Sequence, residues 1–231
     1  MPSEALAAVL NGRYAADFSW RYLPDGKDEA DSLPTGLPEI DSLTGGLPRG
    51  GITEITGPVS SGRTSVLDAA LARATADGES CALVDCDDRF DPASAETAGV
   101  RLERLVWVRC GGNTEHALRA ADLLLQGGGF GFIAFDLGDT PSRTARRISL
   151  TSWYRFRRAI ENTRTVMVVV GLEPYARQCA SLALEVRRGR TVWTGSPQGA
   201  QLLTGMEIQV ERRKPAGKAA HAAVEVPAFA A

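Results

Sequence analysis

Residues 57–65 read GPVSSGRTS: Gly57, Pro58, Val59, Ser60, Ser61, Gly62, Arg63, Thr64 and Ser65. A loop of form G-x4-G-cation-[ST] between a strand and a helix points backbone N–H groups at phosphate oxygens. The helix N-terminus adds partial positive charge, the cation reaches the outer phosphates and the hydroxyl holds magnesium. Both flanks suit the motif. ITEIT, before Gly57, reads as a short strand. After the loop, Val66, Leu67, Ala70, Leu71 and Ala74 recur at helical spacing. The departure is Arg63, where such loops carry lysine. Arginine keeps the charge, but its planar fork is bulkier and donates in fixed directions. ATP and Mg2+ therefore stay compatible with the loop, while efficient hydrolysis is not expected. A glycine-rich turn without ligand is the plainer alternative.

Working outward, CALVDCD, FGFIAFD and TVMVVVGL are short apolar runs of the kind that form buried parallel strands. GNTEHALRAADLLLQGGG reads as a helix closed by glycines, and RTARRISLTSWYRFRRAIENTR as a further helical region, with a break within it an open alternative. ALEVRRG, RTVWTG, GMEIQVERRK and AAVEVP alternate, as an antiparallel extension would. The expected fold class is α/β: a mostly parallel central sheet flanked by helices, with a C-terminal antiparallel extension. SEALAAVL, with Ser3 as its N-cap, is a helix candidate, and LPDGKDEADSLPTGLPEI a linker. The expected organisation is an N-terminal helix and linker over 1–34, a docking arm in form. A core domain over 35–227 and a frayed tail over 228–231 follow.

The chain has 231 residues and a net charge of -2, which hides an asymmetry. Residues 1–140 hold 11 Lys/Arg against 22 Asp/Glu, and residues 141–231 hold 15 against 6. Such polarity suits a nucleic-acid partner, an acidic protein or head-to-tail self-association. No apolar run approaches the roughly 20 residues that span a bilayer, so no membrane partner is expected. No signal peptide is visible either, and the four scattered cysteines read as free thiols of a cytoplasmic protein.

Two acids join the loop. Asp136 ends FGFIAFD, where a phosphate-loop fold places the carboxylate that orients magnesium through water. It is a candidate for cofactor and metal binding, with Thr64. Asp87, in LVDCDD, is a candidate general base for an attacking water, though shorter than glutamate. A helix-capping role for Asp136 stays open.

GLPRGGITEITGPVSSGRTS, CALVDCDDRFDP with AGVRLERL, FGFIAFD and TVMVVVGL, in that order, resemble the RecA recombinase core. The spacing from Asp85 to Asp91-Pro92 discriminates more than the loop, which many NTPases share. The resemblance runs from about Thr35 to Val226, and SEALAAVL resembles the helix by which RecA subunits pack on neighbours. The departures fall at function. Arg63 replaces the loop lysine, and Asp87 matches the catalytic glutamate. Gly171-Leu172 stands where the family has Asn-Gln, the Gln sensing the γ-phosphate. Only EPYARQCA follows, in place of a long DNA-binding loop. This pattern is similar to ImuA, the RecA-related accessory family of SOS mutagenesis cassettes. The resemblance implies RecA-type recombinase and translesion polymerase subunits as partners, with DNA and self-association open. The competing expectation is a DNA-dependent ATPase of the recombinase type; a RecA-fold regulator of circadian or gas-vesicle type suits DCDDRFDP less well.

The arginine segment holds Arg143, Arg146, Arg147, Arg155, Arg157 and Arg158, with Trp153, Tyr154 and Phe156 among them. Charge for phosphates and flat faces for bases suit single-stranded nucleic acid. An amphipathic helix with its aromatics against the sheet is the favoured reading for the rings. The arginines remain candidates for DNA or an acidic partner surface, which Arg187, Arg188 and Arg190 would extend.

Overall fold

The structure, a computed structural model, describes residues 32–195, 199–215 and 220–227. The expected N-terminal helix at Ser3 and the tail over 228–231 lie outside the described residues. The described chain forms one eight-stranded sheet with helices on both faces, plus a two-stranded ribbon. The ribbon pairs β1 (Ser32–Leu33) with β2 (Leu47–Pro48) across helix α1 (Pro38–Thr44).

The elements that carry chemistry follow in order. Strand β3 (Gly51–Thr56) leads through the loop into α2 (Arg63–Ala76), then β4 (Cys81–Asp85), α3 (Pro92–Thr97) and β5 (Leu105–Arg109). Next come α4 (Thr114–Gly127), β6 (Phe132–Asp136), α5 (Ser142–Ala145), α6 (Leu150–Ile160) and β7 (Val166–Gly171). The chain ends in β8 (Ala180–Gly195), β9 (Gln201–Lys214) and β10 (Ala220–Pro227). Sheet order is β10-β9-β8-β3-β7-β6-β4-β5.

Strands β8, β3, β7, β6, β4 and β5 run parallel; β9 and β10 are antiparallel additions. This refines the expected extension. ALEVRRG and RTVWTG belong to one 16-residue strand whose first third pairs parallel with β3, and only β9 and β10 are antiparallel. The alternation of β8 reflects its position: its start is buried in the sheet and its end runs beyond β3 into solvent, where Trp193 is 53% exposed.

Strand alternation divides the core between the two faces. On one, Leu83, Phe132, Val168 and Val170 pack on Val66, Leu67, Ala70 and Leu71 of α2. On the other, Val84, Phe135, Met167 and Val169 pack on Ala117 and Ala121 of α4 and on Trp153 and Phe156 of α6. Trp153 and Phe156 are fully buried, their rings perpendicular at 5.8 Å, whereas Tyr154 is 47% exposed. Two of the three aromatics therefore belong to the core. The arginine segment is broken, as its sequence suggested: α5 ends at Ala145, and Ser149 caps α6 by accepting the Ser152 N–H. All four cysteines are buried and free.

Candidate functional site

The parallel strands deliver their C-terminal ends to one edge. Thr56 lies beside Gly171, Val170 beside Asp136, and Asp136 beside Asp85. Ligand sites of open α/β sheets occupy this edge, in the crevice outside the strand ends.

The phosphate loop is braced from beneath by β8 and β9. A methyl group at Gly57 would stand 2.1 Å from the Val186 carbonyl oxygen of β8, and one at Gly62 2.5 Å from Ile208 Cγ2 of β9. Gly62 also has φ +98°, a left-handed conformation that glycine adopts without steric cost. Ser60 shares the left-handed region at φ 59° and is exposed, while Ser61 is buried with its Oγ unpartnered. No side chain caps α2, so the N–H groups of its first turn, at Arg63, Thr64 and Ser65, stay available to an anion. Thr64 is exposed at the loop's mouth and Ser65 half-buried.

Arg63 does not extend over the loop. It is 7% exposed and turned toward the ends of β6 and β7, with Nη1 buried and unpartnered. A methyl group at Gly138 would stand 2.9 Å from Asp136 Oδ1 and 3.6 Å from Arg63 Nη1, so guanidinium and carboxylate share one small space. Burial pulls the Arg63 pKa down, opposed by the charges of Asp136 and Asp139 and by Tyr175. Desolvation pushes Asp136 up to about 6; the Gly138 N–H, donating to Oδ1 at 2.7 Å, and Arg63 oppose the rise.

Asp68 was not anticipated. It sits one helical turn after Thr64 on the buried face of α2, 6% exposed, with Oδ1 unpartnered. Burial raises its pKa to about 7, with Asp136 and Asp91 adding repulsion. An acid within the apolar stripe Val66-Leu67-Ala70-Leu71 was the available signal. Arg63, Thr64, Asp68, Asp87, Asp136 and Asp139 all line one cavity of about 50 Å3.

The acids of DCDDRFDP divide their labour. Asp85 accepts N–H groups from Arg89 and Phe90 at 3.1 and 2.9 Å and from the Trp107 indole at 3.1 Å. Asp88 accepts the Cys110 and Gly111 amides, and Asp91 caps α3 through Ala93 and Ser94. These three hold the loop in shape. Asp85 and Asp87 both line the cavity; Asp85 is engaged by the Arg89 and Phe90 amides and the indole, whereas Asp87 accepts the Thr140 hydroxyl. Its second oxygen remains open to a ligand or water.

After β7 the chain closes immediately. Glu54, buried in the middle of β3, accepts the backbone N–H groups of Tyr175, Ala176 and Arg177 at 2.6, 2.6 and 3.0 Å. Burial raises the Glu54 pKa, and the three amides oppose that. Tyr175 is thereby seated beside Gly171, where an added methyl would come 2.6 Å from its ring. An acid in ITEIT was legible; its partners were not, since they lie more than 120 residues away.

The structure separates the arginine candidates. Arg146 is ion-paired with Glu173 and Arg155 with Asp122, and both side chains remain exposed. Arg143, Arg147, Arg157 and Arg158 are exposed and form no ion pair among the described residues, and Tyr154 and Leu150 stand exposed beside them on α6. These four carry charge unpaired among the described residues, whereas Arg146 and Arg155, also exposed, share theirs with Glu173 and Asp122.

The site fits a nucleotide in part. The free amides at the start of α2 suit phosphate. Among the described residues no group of three or more His, Cys, Asp or Glu is arranged to hold a metal ion, so magnesium at Thr64 and Asp136 would depend on phosphate oxygens. The acidic end, lined by Asp68, Asp85, Asp87, Asp136 and Asp139, repels a terminal phosphate unless a cation accompanies it.

Among curated proteins, 88 residues of this chain, 38% of it, are 42% identical to Protein RecA of Cutibacterium acnes. The same values hold for Protein RecA of its strain DSM 16379 / KPA171202. The match spans 25% of the length of these relatives. The model of the RecA N-terminal domain matches residues 21–140, just over half of the chain, and includes the loop, DCDDRFDP and Asp136. With a parallel sheet that presents those segments at one edge, the chain belongs to the RecA N-terminal domain family.

Proposed function

We propose that this protein is a RecA-like accessory factor of the DNA-damage response, acting in SOS mutagenesis and translesion synthesis by binding rather than by ATP turnover. Its partners are a RecA-type recombinase, error-prone polymerase subunits or DNA. The observation that carries this reading is the closure behind β7: Tyr175 packs on Gly171, and Glu54 ties down residues 175–177. A segment held by three backbone hydrogen bonds to a buried carboxylate has no freedom to thread along a DNA strand. Arg63, turned toward Gly138 and Asp136, lacks the placement to stabilise charge on a transferring phosphoryl group.

The exposed Arg143, Arg147, Arg157 and Arg158, with Tyr154, supply a surface for an acidic protein or for nucleic acid. The residues before Ser32 serve as a docking arm toward a RecA-type surface; Ser32 and Leu33, expected in that arm, pair with β2 and belong with the folded core. Association of the full chain with a RecA-type recombinase and with polymerase subunits tests this directly. Deleting residues 1–30 abolishes recombinase association, and reversing Arg157 and Arg158 to Glu weakens polymerase or DNA association. Turnover stimulated by single-stranded DNA and lost in Asp136→Ala would instead establish the recombinase-type ATPase.

A further inference from the structure

We infer that Cys86 and Cys110 form a redox-active dithiol, a modification site that a peroxide closes into a disulfide at the root of the loop carrying Asp87. The pair stands apart from the partners proposed above and does not depend on them. Strand register puts the two residues side by side. β4 and β5 run parallel with Ala82 beside Val106, Val84 beside Val108 and Asp85 beside Arg109. The ladder continues past them: the Cys110 N–H donates to the Asp85 carbonyl at 3.1 Å and the Gly112 N–H to the Cys86 carbonyl at 2.7 Å. Cys86 therefore stands opposite Cys110. Alternation gives both the same face, and both belong to the core under α4 with Ala82 and Val84. Neighbouring strands lie about 4.7–4.9 Å apart, inside the roughly 4.4–6.8 Å between α-carbons that a disulfide spans. After burial, the Cys86 thiol is the largest influence raising the Cys110 pKa to about 11, ahead of Asp85 and Asp88.

Both thiols are free: Cys86 Sγ lies 3.8 Å from Thr114 Oγ1, and Cys110 Sγ 3.8 Å from the Val108 carbonyl oxygen. Rotation about its Cα–Cβ bond turns the Cys110 sulfur toward Cys86. Gly111 and Gly112, at φ 59° and 77° with open space around them, let the strand end adjust. The other two cysteines are placed elsewhere: Cys81 begins β4 in the core of the opposite face, and Cys179 precedes β8. Cys110 is 8% exposed and Cys86 is buried, so an oxidant meets Cys110 first. Its thiolate attacks one oxygen of hydrogen peroxide; the O–O bond breaks, leaving a sulfenic acid and hydroxide. The Cys86 thiolate then attacks the sulfenic sulfur; the S–S bond forms, the S–O bond breaks and a second hydroxide leaves. The hydroxides take up the two thiol protons. Two thiols and one peroxide thus give one disulfide and two waters, the sulfurs losing two electrons to the peroxide. Burial raises the pKa of both thiols, so the reaction is slow at neutral pH and quickens with alkali. Closing the bond takes Cys86 away from Thr114, the first residue of α4, and joins the loop of Asp87 to the one before α4.

Hydrogen peroxide on the full chain under native conditions, followed by alkylation in denaturant and mapping of unreduced peptides, tests this. The expected product has two of its four thiols closed to the alkylating reagent and one peptide pair joined through Cys86 and Cys110, and dithiothreitol restores both thiols. Its rate of formation rises about tenfold per pH unit below the thiol pKa. Cys86→Ala leaves the Cys110 sulfenic acid without a resolving thiol, so that variant forms no link and carries a sulfinic acid at Cys110 instead. Cys110→Ala, at the more exposed position, abolishes the link in turn should the first variant fail to fold. Four thiols surviving an excess of peroxide, a link through Cys81 or Cys179, or sulfinic acid at Cys110 in the unaltered chain overturns the assignment.

Discussion

Glu54 Oε1 accepts the Tyr175 backbone N–H at 2.6 Å across 121 residues of sequence. The same carboxylate takes the next two amides, so one side chain in the central strand holds the whole turn that follows β7. Glu54→Ala leaves three N–H groups without their acceptor, two of them deep in the protein. Each hydrogen bond to a charged group contributes about 1.5–3 kcal/mol, so a loss of roughly 3–5 kcal/mol is expected. At this chain length that lowers Tm by roughly 6–20 °C in a thermal melt. Glu54→Gln keeps an acceptor and falls between.

Gly171 and Tyr175 are coupled sterically. Gly171→Ala drives a methyl to 2.6 Å from Tyr175 Cε2 and is expected to cost about 1–3 kcal/mol by overpacking. Tyr175→Ala alone costs about 3–5 kcal/mol through the cavity it leaves. The double variant loses less than the sum of the two, because the methyl enters vacated space. Denaturant unfolding of all four proteins measures the coupling.

Asp68 makes stability pH-dependent. Its folded pKa is raised by burial from 3.8 to about 7, so the folded state binds the proton more tightly than the unfolded chain. Its stabilising contribution is therefore complete below about pH 4 and is lost as pH rises through about 7. Asp68→Asn removes that loss and is expected to raise stability at pH 8 by a few kcal/mol while changing little at pH 4. Asp136, raised to about 6, adds a slope of the same sign that remains in the variant. Urea unfolding at a series of pH values resolves the two.

Asp85 braces the loop that follows β4 while also lining the cavity. Asp85→Ala strips the acceptor from two amides and the Trp107 indole, and about 2–4 kcal/mol is the expected cost. Asp87→Ala, whose carboxylate bonds Thr140 and faces the cavity, leaves stability within about 1 kcal/mol. Thermal melts of the pair separate the roles of two acids that are two residues apart.

What the sequence by itself determined was local and periodic. The strand–loop–helix around GPVSSGRTS, the apolar runs that became β4, β6 and β7, and the break in the arginine segment all follow from spacing, capping and β-propensity over a few residues. So did the burial of Trp153 and Phe156, which the amphipathic period of α6 required. The tertiary structure decided what depends on pairing at long range. ALEV reads as alternating because β8 has two environments along its length, and only its neighbour β3 shows that it begins as a parallel strand. Arg146 and Arg155 look like their neighbours in sequence, yet Glu173 and Asp122 pair with them from other elements. Glu54 was visible as an acid in an apolar strand, but its three amide partners arrive from the far side of β7. Arg63 was recognisable as a substitution in the loop. Its direction, toward Gly138 and Asp136, depends on strand ends that only the assembled sheet brings beside the loop.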